Sequence, residues 1–159
     1  MHFIVDGHNL IPKVPGLSLR DLEDERQLIR LLQEYCRLSR NSVEVYFDRA
    51  APGSLHTRQY GTVKAYFARS DQTADQAIIA HLRQMGKTAA NCTVVSSDHY
   101  VQNEARAARA QVMTSETFAR QILKLLADSS KDELRDVSMK EEELSAWLKM
   151  FGAEDERNA

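Results

Sequence analysis

Four aspartates follow apolar segments that have the pattern of buried strands. Asp6 and Asp48 end the first two segments, Asp98 follows a later one, and Asp75 opens the helix after the third. Because the carboxyl ends of parallel strands meet at one edge of an open α/β sheet, we expect the four side chains to lie together there. Carboxylates crowded in this way repel one another and hold protons unless a cation lies among them. The spacing therefore predicts a site for divalent cations.

A carboxylate site of this kind indicates phosphodiester hydrolysis. Two divalent ions about 4 Å apart can activate a water and stabilise both oxygens of an in-line displacement at phosphorus, which leaves a 3′-hydroxyl and a 5′-phosphate. Oxygen ligands favour magnesium or manganese over zinc. The sequence has no C-x-x-C, H-x-x-H or H-E-x-x-H spacing, and we expect Cys36 and Cys92 to be buried, reduced thiols.

Each aspartate also has a purely structural explanation. Asp6 could make a turn, Asp98 could cap a helix, and Asp75 could interact with a helix dipole. Asp48 could pair with a nearby arginine. Turns and caps could equally have used serine, threonine or asparagine, so four acids at four successive strand ends favour a shared site over four separate roles.

The elements that must position these acids alternate along the chain. Apolar periodicity predicts strands at 3–5, 42–48, 62–68, 92–96 and 111–114, and helices at 18–40, 74–86, 99–109 and 115–127. Residues 49–61 contain a Pro-Gly pair and no periodicity, which predicts a loop. The alternation predicts an α/β fold whose mostly parallel sheet of about five strands is covered on both faces. The acids meet only if the third strand runs parallel to its neighbours.

Three of the predicted helices are preceded or opened by residues of the type that caps helices. Ser18 is expected to cap the first long helix, and Asp98 or Ser97 the alanine-rich one. Ser115 opens the last helix of the body, but Phe118 stands where a full capping box would place an acid.

Size and composition indicate one ordinary globular domain. The chain has 159 residues, 43% of them hydrophobic, and its longest apolar run is four residues. A membrane-spanning helix needs about 20 apolar residues, so no membrane association is expected. An acid at position 6 interrupts what would be the hydrophobic region of a secretory signal, and we therefore expect a cytosolic protein.

The charge distribution separates a mildly basic body from an acidic tail. Residues 1–127 carry 16 Lys/Arg against 13 Asp/Glu, a balance of +3, and residues 128–159 carry 5 against 10, a balance of −5. The body permits polyanion binding without requiring it. We interpret residues 128–159 as an acidic linker followed by a short amphipathic helix at 140–151. The helix has one apolar stripe, made of Leu144, Trp147, Leu148 and Phe151. This stripe could pack on the body or dock a partner.

Four segments together resemble a known family. They are 4–11 (IVDGHNLI), 45–48 (VYFD), 73–75 (TAD) and 94–98 (VVSSD). They resemble the NYN branch of the PIN-like nucleases, the YacP-like members most closely, over roughly residues 3–127. The resemblance implies a PIN-like three-layer α/β fold and a magnesium- or manganese-dependent ribonuclease. It also suggests the ribosome as a partner, since some bacterial YacP-like members associate with ribosomes.

The resemblance also implies roles for individual residues. Asp6, Asp75 and Asp98 match the metal-binding acids, and Asp48 matches a fourth. Asn9 matches a polar residue that orients an acid or the scissile phosphate. The chain departs from the pattern at position 8, where a histidine stands in place of the tyrosine that relatives often carry.

Substrate contacts are expected in the predicted loop after the second strand. Arg49 and Arg58 could hold phosphates there, and Tyr60 could stack on an unpaired base, although a solvated loop has the same composition. Ser97 could contact a phosphate or simply cap a helix. The absence of a groove-reading helix and of a basic stripe favours single-stranded RNA over duplex RNA, and DNA is not expected. His8 or His99 could move a proton, or both could be ordinary surface residues.

These observations predict a metal-dependent endoribonuclease that cuts single-stranded RNA, with mRNA on the ribosome as a candidate substrate. The alternative is a non-catalytic RNA-binding or ribosome-docking module with the same fold. A toxin of the PIN type is a third hypothesis. The oligomeric state, the target RNA and the number of metal ions do not follow from the sequence.

Overall fold

The computed structural model describes residues 1–17, 22–48, 57–68 and 72–136. The strands are β1 (His2–Asp6), β2 (Ser42–Phe47), β3 (Thr57–Tyr60), β4 (Val63–Phe67), β5 (Cys92–Val95) and β6 (Gln111–Met113). The α-helices are α1 (Gly7–Leu10), α2 (Leu22–Ser39), α3 (Ala74–Met85), α4 (His99–Ala107) and α5 (Ser115–Asp136). Short 3₁₀ helices cover Ile11–Lys13 and Gly86–Asn91.

The six strands form one sheet in the order β3-β4-β2-β1-β5-β6. All neighbouring strands are parallel except β3, which pairs antiparallel with β4 at the sheet's edge. The parallel pairing of β4 with β2 meets the condition for bringing the strand-end acids to one side. Val5 of the central strand β1 lies level with Val45 on one neighbour and Val95 on the other.

Helices cover both faces of this sheet, which makes three layers. Successive β1 side chains point to opposite faces, so Phe3 and Val5 pack in one core and Ile4 in the other. The first core is closed by α2 and α5, including Leu32 and Phe118. The second core is closed by α3 and α4. The predicted three-layer, mostly parallel α/β architecture is confirmed.

The largest difference from the sequence prediction lies in the segment predicted as a loop at 49–61. Its last part is β3, which makes a hairpin with β4 through a turn at Gly61, where φ is +64°. The predicted count of about five strands is therefore one too low. Strand β3 has three exposed residues and one half-buried residue, so it has no buried alternation that could reveal it.

The last helix differs from the prediction in its capping residue and in its C-terminal end. Helix α5 begins at Ser115 but continues past the predicted end at Ala127 to Asp136. Its cap is Thr114, whose hydroxyl accepts the Thr117 amide, because the Ser115 hydroxyl donates to Asn9 instead. The predicted cap Ser18 and the apolar stripe around Trp147 lie outside the described residues.

Other predictions about individual residues hold. Asp98 caps α4, and Cys36 and Cys92 are buried free thiols. Across the described part of the chain, none of the helices combines the length and apolarity that crossing a membrane demands.

Candidate functional site

The candidate site lies where β1 and β2 end and α3 begins. Asp6 is the last residue of β1, and Asp48 follows the last residue of β2. The backbone turns sharply at Gly7, which starts α1. A side chain there would meet the Phe47 ring and come within 2.9 Å of the Tyr46 carbonyl oxygen. Glycine therefore lets the β1 turn approach β2 closely enough to bring the two strand ends together.

Asp6 and Asp75 form a contact between two carboxyl groups. Only 6% of Asp6 is exposed. Burial, together with the hydrogen bond and the negative charge of Asp75, raises the pKa of Asp6 from 3.8 to about 7, while the Asn9 amide opposes the shift. Among the described residues, neither acid forms an ion pair with lysine or arginine. Two acids in contact with no cationic partner create a local demand for positive charge.

Asp48 stands beside this pair and is tied to two other elements. Its charge adds to the upward shift of the Asp6 pKa. Oδ1 accepts the amide of Ala74, the first residue of α3, at 2.6 Å. Oδ2 lies 3.1 Å from Nδ1 of His8. Asp48 therefore connects β2 with the start of α3 and with α1.

Asp98 makes the helix cap that sequence analysis considered as an alternative role. Its Oδ1 accepts the amides of Tyr100 at 2.8 Å and Val101 at 3.3 Å. Across the described part of the chain, no three or more His, Cys, Asp or Glu side chains are grouped so that they could hold a metal ion. The structure thus brings Asp6 and Asp75 into contact beside Asp48, and it gives the Asp98 carboxylate a separate role at α4.

Asn9 joins three strand ends through its side-chain oxygen. Oδ1 accepts the Ser97 amide at 2.8 Å and the Ser115 hydroxyl at 2.6 Å. The Ser97 amide can only donate, so this atom is assigned as the oxygen. The Asn9 backbone amide donates to Asp6 Oδ1 at 3.3 Å. Asn9 therefore holds the turn after β1, and Asp6 with it, against the ends of β5 and β6.

Ser97 belongs to a polar chain that leads to the surface. Its hydroxyl contacts Glu116 Oε2 at 2.7 Å and accepts the Ser115 amide at 3.1 Å. Lys13 lies 2.9 Å from the other carboxylate oxygen of Glu116. Hydrogen bonds from Ser97 and Lys13 lower the pKa of Glu116 to about 2. The Ser97 hydroxyl is thus already engaged within the protein.

His8 is held between two carboxylates. Nε2 lies 2.9 Å from Glu25 and Nδ1 lies 3.1 Å from Asp48. The hydrogen bond to Glu25 raises the pKa of His8. Burial opposes this upward shift, and the contact with Asp48 adds to it. His99, the other histidine considered for proton transfer, is exposed at the start of α4.

The other residues predicted to bind substrate lie on β3 or outside the described part. Arg58 is exposed on β3, and Tyr60 is half-buried and packs against the core beneath α2 and α5. Arg49 lies outside the described residues.

A hard divalent cation fits the Asp6–Asp75 pair. Magnesium is commonly held by one or two carboxylates, with water and substrate phosphate completing its shell. The buried carboxyl of Asp6, whose pKa is raised by its own neighbours, is the group that such a cation would ionise. The donor set has no thiolate or imidazole, so it suits magnesium or manganese better than zinc.

Sequence reasoning missed the residues that support the acids. Glu25, Ser115 and Glu116 reach the site from helices distant in the chain, and Lys13 reaches it from the 3₁₀ helix after α1. The available signal was positional, because Ser115 and Glu116 open a helix that follows a parallel strand and must start at the same sheet edge. No pattern in the sequence pairs Glu25 with His8.

Comparison with known proteins agrees with the fold. Residues 3–154 match the family model described as "YacP-like NYN domain", which extends beyond the predicted range of 3–127. Two crystal structures of Rae1 (YacP) from Bacillus subtilis are similar in fold. The W164L mutant gives a TM-score of 0.70 at 23% identity, covering 94% of this chain and 91% of that one. The structure without that substitution gives 0.72 at 21%, covering 99% and 91%. No curated protein matches the chain.

Proposed function

Because the chain belongs to the YacP-like NYN domain family, we propose that it is a metal-dependent endoribonuclease acting on single-stranded RNA. The observation that carries the proposal is the contact of the buried Asp6 carboxyl with Asp75 at the carboxyl edge of the sheet. Ligand sites of open α/β sheets lie at this edge. A pair of acids that forms no ion pair with lysine or arginine in the described part of the chain suits a reaction that recruits a divalent ion and a phosphate together.

Asp6 and Asp75 are the residues that would hold magnesium or manganese. When bound, the ion supplies positive charge that activates a water and stabilises the oxygens at phosphorus. Binding would require both carboxylates to be ionised, so a proton held by Asp6 would pass to water. Asn9 keeps Asp6 oriented through its amide hydrogen bond. Asp98 remains a predicted ligand, with Oδ1 engaged at the cap of α4.

The substrate side of the proposal follows from charge and position. Exposed Arg58 on β3 offers a cation for a phosphate, and Arg49, in the neighbouring segment, offers a second. Tyr60 is half-buried, which leaves part of its ring for an unpaired base. The Ser97 hydroxyl donates to Glu116, so it would have to give up that hydrogen bond in order to donate to a substrate phosphate. Free RNA is the first substrate to test, and ribosome-bound mRNA is the second.

A cleavage assay tests this function. A labelled single-stranded RNA is incubated with manganese and with wild type, Asp75→Asn or Asp128→Asn, the last an exposed control on α5. We expect Asp75→Asn to lower the rate by about 100-fold or more, since loss of even outer-shell partners costs 10–100-fold. Asp128→Asn should retain the wild-type rate.

The products distinguish this proposal from its rivals. Internal cuts that leave 5′-phosphate ends support an endoribonuclease. Cleavage that survives in Asp75→Asn would identify a contaminant. RNA binding without cleavage, on free RNA and on ribosome-bound mRNA alike, would favour the non-catalytic module.

A further inference from the structure

Glu25 contacts the candidate site without belonging to the acid pair. It lies in the first part of α2, and its Oε1 is 2.9 Å from Nε2 of His8. The side chain is largely buried, with 16% of it exposed. His8 follows the tight turn at Gly7, so this contact joins α2 to the segment that leaves β1. A buried, charge-assisted contact between two elements fixes their relative position more firmly than an exposed one.

His8 also contacts Asp48, so the position of its ring affects the orientation of the Asp48 side chain. The opposite ring nitrogen, Nδ1, lies 3.1 Å from Asp48 Oδ2. The ring also packs on Phe47, with 5.5 Å between the ring centroids. Contacts at both nitrogens and with the Phe47 ring leave the imidazole little rotational freedom. Asp48, which follows the end of β2, is thereby held in one orientation.

Asp48 in turn holds the first turn of α3. Its Oδ1 accepts the amide of Ala74 at 2.6 Å, while Thr73 accepts the amide of Gln76. The first four amides of a helix lack partners within the helix, so Asp48, as acceptor of the Ala74 amide, fixes the start of α3 together with the Thr73 cap. Asp75 is the next residue, and its carboxylate contacts Asp6. The place of Asp75 beside Asp6 therefore depends on Asp48.

We propose that Glu25 is a positioning residue, which acts through His8 and Asp48 to hold the start of α3 so that Asp75 stays against Asp6. The consequence for metal binding rests on the proposed function. In this role Asp48 supports the pair, because its two oxygens already contact Ala74 and His8. The series of contacts from Glu25 to Asp75 connects α2, α1, the end of β2 and α3.

The first test needs no metal. Amide hydrogen exchange at Ala74 is measured in wild type, Glu25→Ala, Glu25→Gln and the control Glu34→Ala. Glu34 lies on the same helix and makes an exposed ion pair with Arg37. We expect Glu25→Ala to speed exchange at Ala74 by about tenfold, since loss of the chain of contacts releases its acceptor. Glu25→Gln keeps an oxygen facing His8 and should restore most of the protection, and Glu34→Ala should leave it unchanged.

The second test measures manganese affinity. Binding is detected as a loss of the electron paramagnetic resonance signal of aqueous Mn²⁺. Glu25→Ala should weaken binding about tenfold, as is typical for outer-shell partners, with Glu25→Gln close to wild type. A purely structural role would lower stability while leaving the affinity of the folded protein unchanged.

The two tests separate failure of this inference from failure of the proposed function. Unchanged exchange at Ala74 in a folded Glu25→Ala would overturn the positioning role whatever the metal does. Unchanged manganese affinity in that variant, when Asp75→Asn abolishes binding, would overturn it and leave the proposed function intact. Faster exchange at Ala74 in Glu25→Ala, together with no manganese binding by wild type, would support the positioning contacts and contradict the proposed function.

Discussion

The carboxyl of Asp6 hydrogen-bonds to the carboxylate of Asp75, across the gap between the end of β1 and the first turn of α3. Neither residue forms an ion pair with lysine or arginine in the described part of the chain. Folding therefore brings two acids together, and their repulsion lowers the stability of the protein. A bound cation would remove that repulsion.

Removing one acid should stabilise the metal-free protein. Asp75→Asn keeps a hydrogen-bond acceptor for Asp6 and removes the like charge, so the free energy of unfolding should rise by about 1 kcal/mol at neutral pH. Wild type should gain stability when manganese is added, and the variant should not. Urea unfolding with and without manganese measures both effects. A variant less stable than wild type without metal would show that the two acids do not oppose each other.

Gly7→Ala should destabilise the fold through overpacking. The added methyl would meet the Phe47 ring and the Tyr46 carbonyl, and such clashes cost about 1–3 kcal/mol. Phe47→Leu removes part of the obstacle, so Gly7→Ala should cost less in that background. A double-mutant cycle on the free energy of unfolding measures the difference. Additive effects would show that the turn relaxes away from Phe47.

Asn9→Ala should leave two donors without their acceptor. Ser97 and Ser115 both bond to Asn9 Oδ1, and an unsatisfied buried group costs about 1–3 kcal/mol. Asn103→Ala, on the exposed side of α4, is the matched control and should change stability by less than about 0.5 kcal/mol. Thermal unfolding of both variants gives the comparison. Equal losses in the two variants would contradict the bridging role of Asn9.

Glu44 should make stability fall in acid. Burial raises its pKa, but the contacts of Glu44 Oε2 with Nε2 of His81 at 3.0 Å and Nε2 of His2 at 3.6 Å outweigh burial and hold the pKa at about 2, below the ordinary value of 4.5. A carboxyl with a lowered folded-state pKa contributes stability above its unfolded pKa and loses it as the pH falls towards the folded value. The advantage of wild type over Glu44→Gln should therefore shrink by roughly 2 kcal/mol between pH 5 and pH 2.

Urea unfolding at several pH values measures this difference. Glu34→Gln is the control, because the Glu34 pair with Arg37 is exposed and such pairs contribute little. An advantage that stays constant across the pH range would exclude the histidine contacts as its source.

The layered fold could be predicted because buried strands and amphipathic helices carry strong periodic signals. The apolar run before Asp6 and the helical spacing from Leu28 to Cys36 both appear where expected. Strand β3 could not be found in this way, since it is an exposed edge strand held by pairing with β4. Strand β3 is held by backbone hydrogen bonds to β4, and the pattern of its own side chains gives no sign of that pairing.

The candidate site was predictable in outline for a similar reason. Topology alone places Asp6 and Asp48 at one sheet edge, and helix α3 brings Asp75 to them. Asp98 shows the limit of this reasoning, because the same residue type at the same kind of junction can cap a helix. The contacts of Glu25 with His8 depend on how α2 packs, which no local pattern encodes.

A crystal soaked in manganese, with anomalous diffraction recorded at the manganese absorption edge, tests the central claim most directly. The account predicts an anomalous peak bonded to the carboxylates of Asp6 and Asp75, and its loss in Asp75→Asn. A wild-type crystal in which manganese binds elsewhere, while Asp6 still hydrogen-bonds to Asp75, would contradict it.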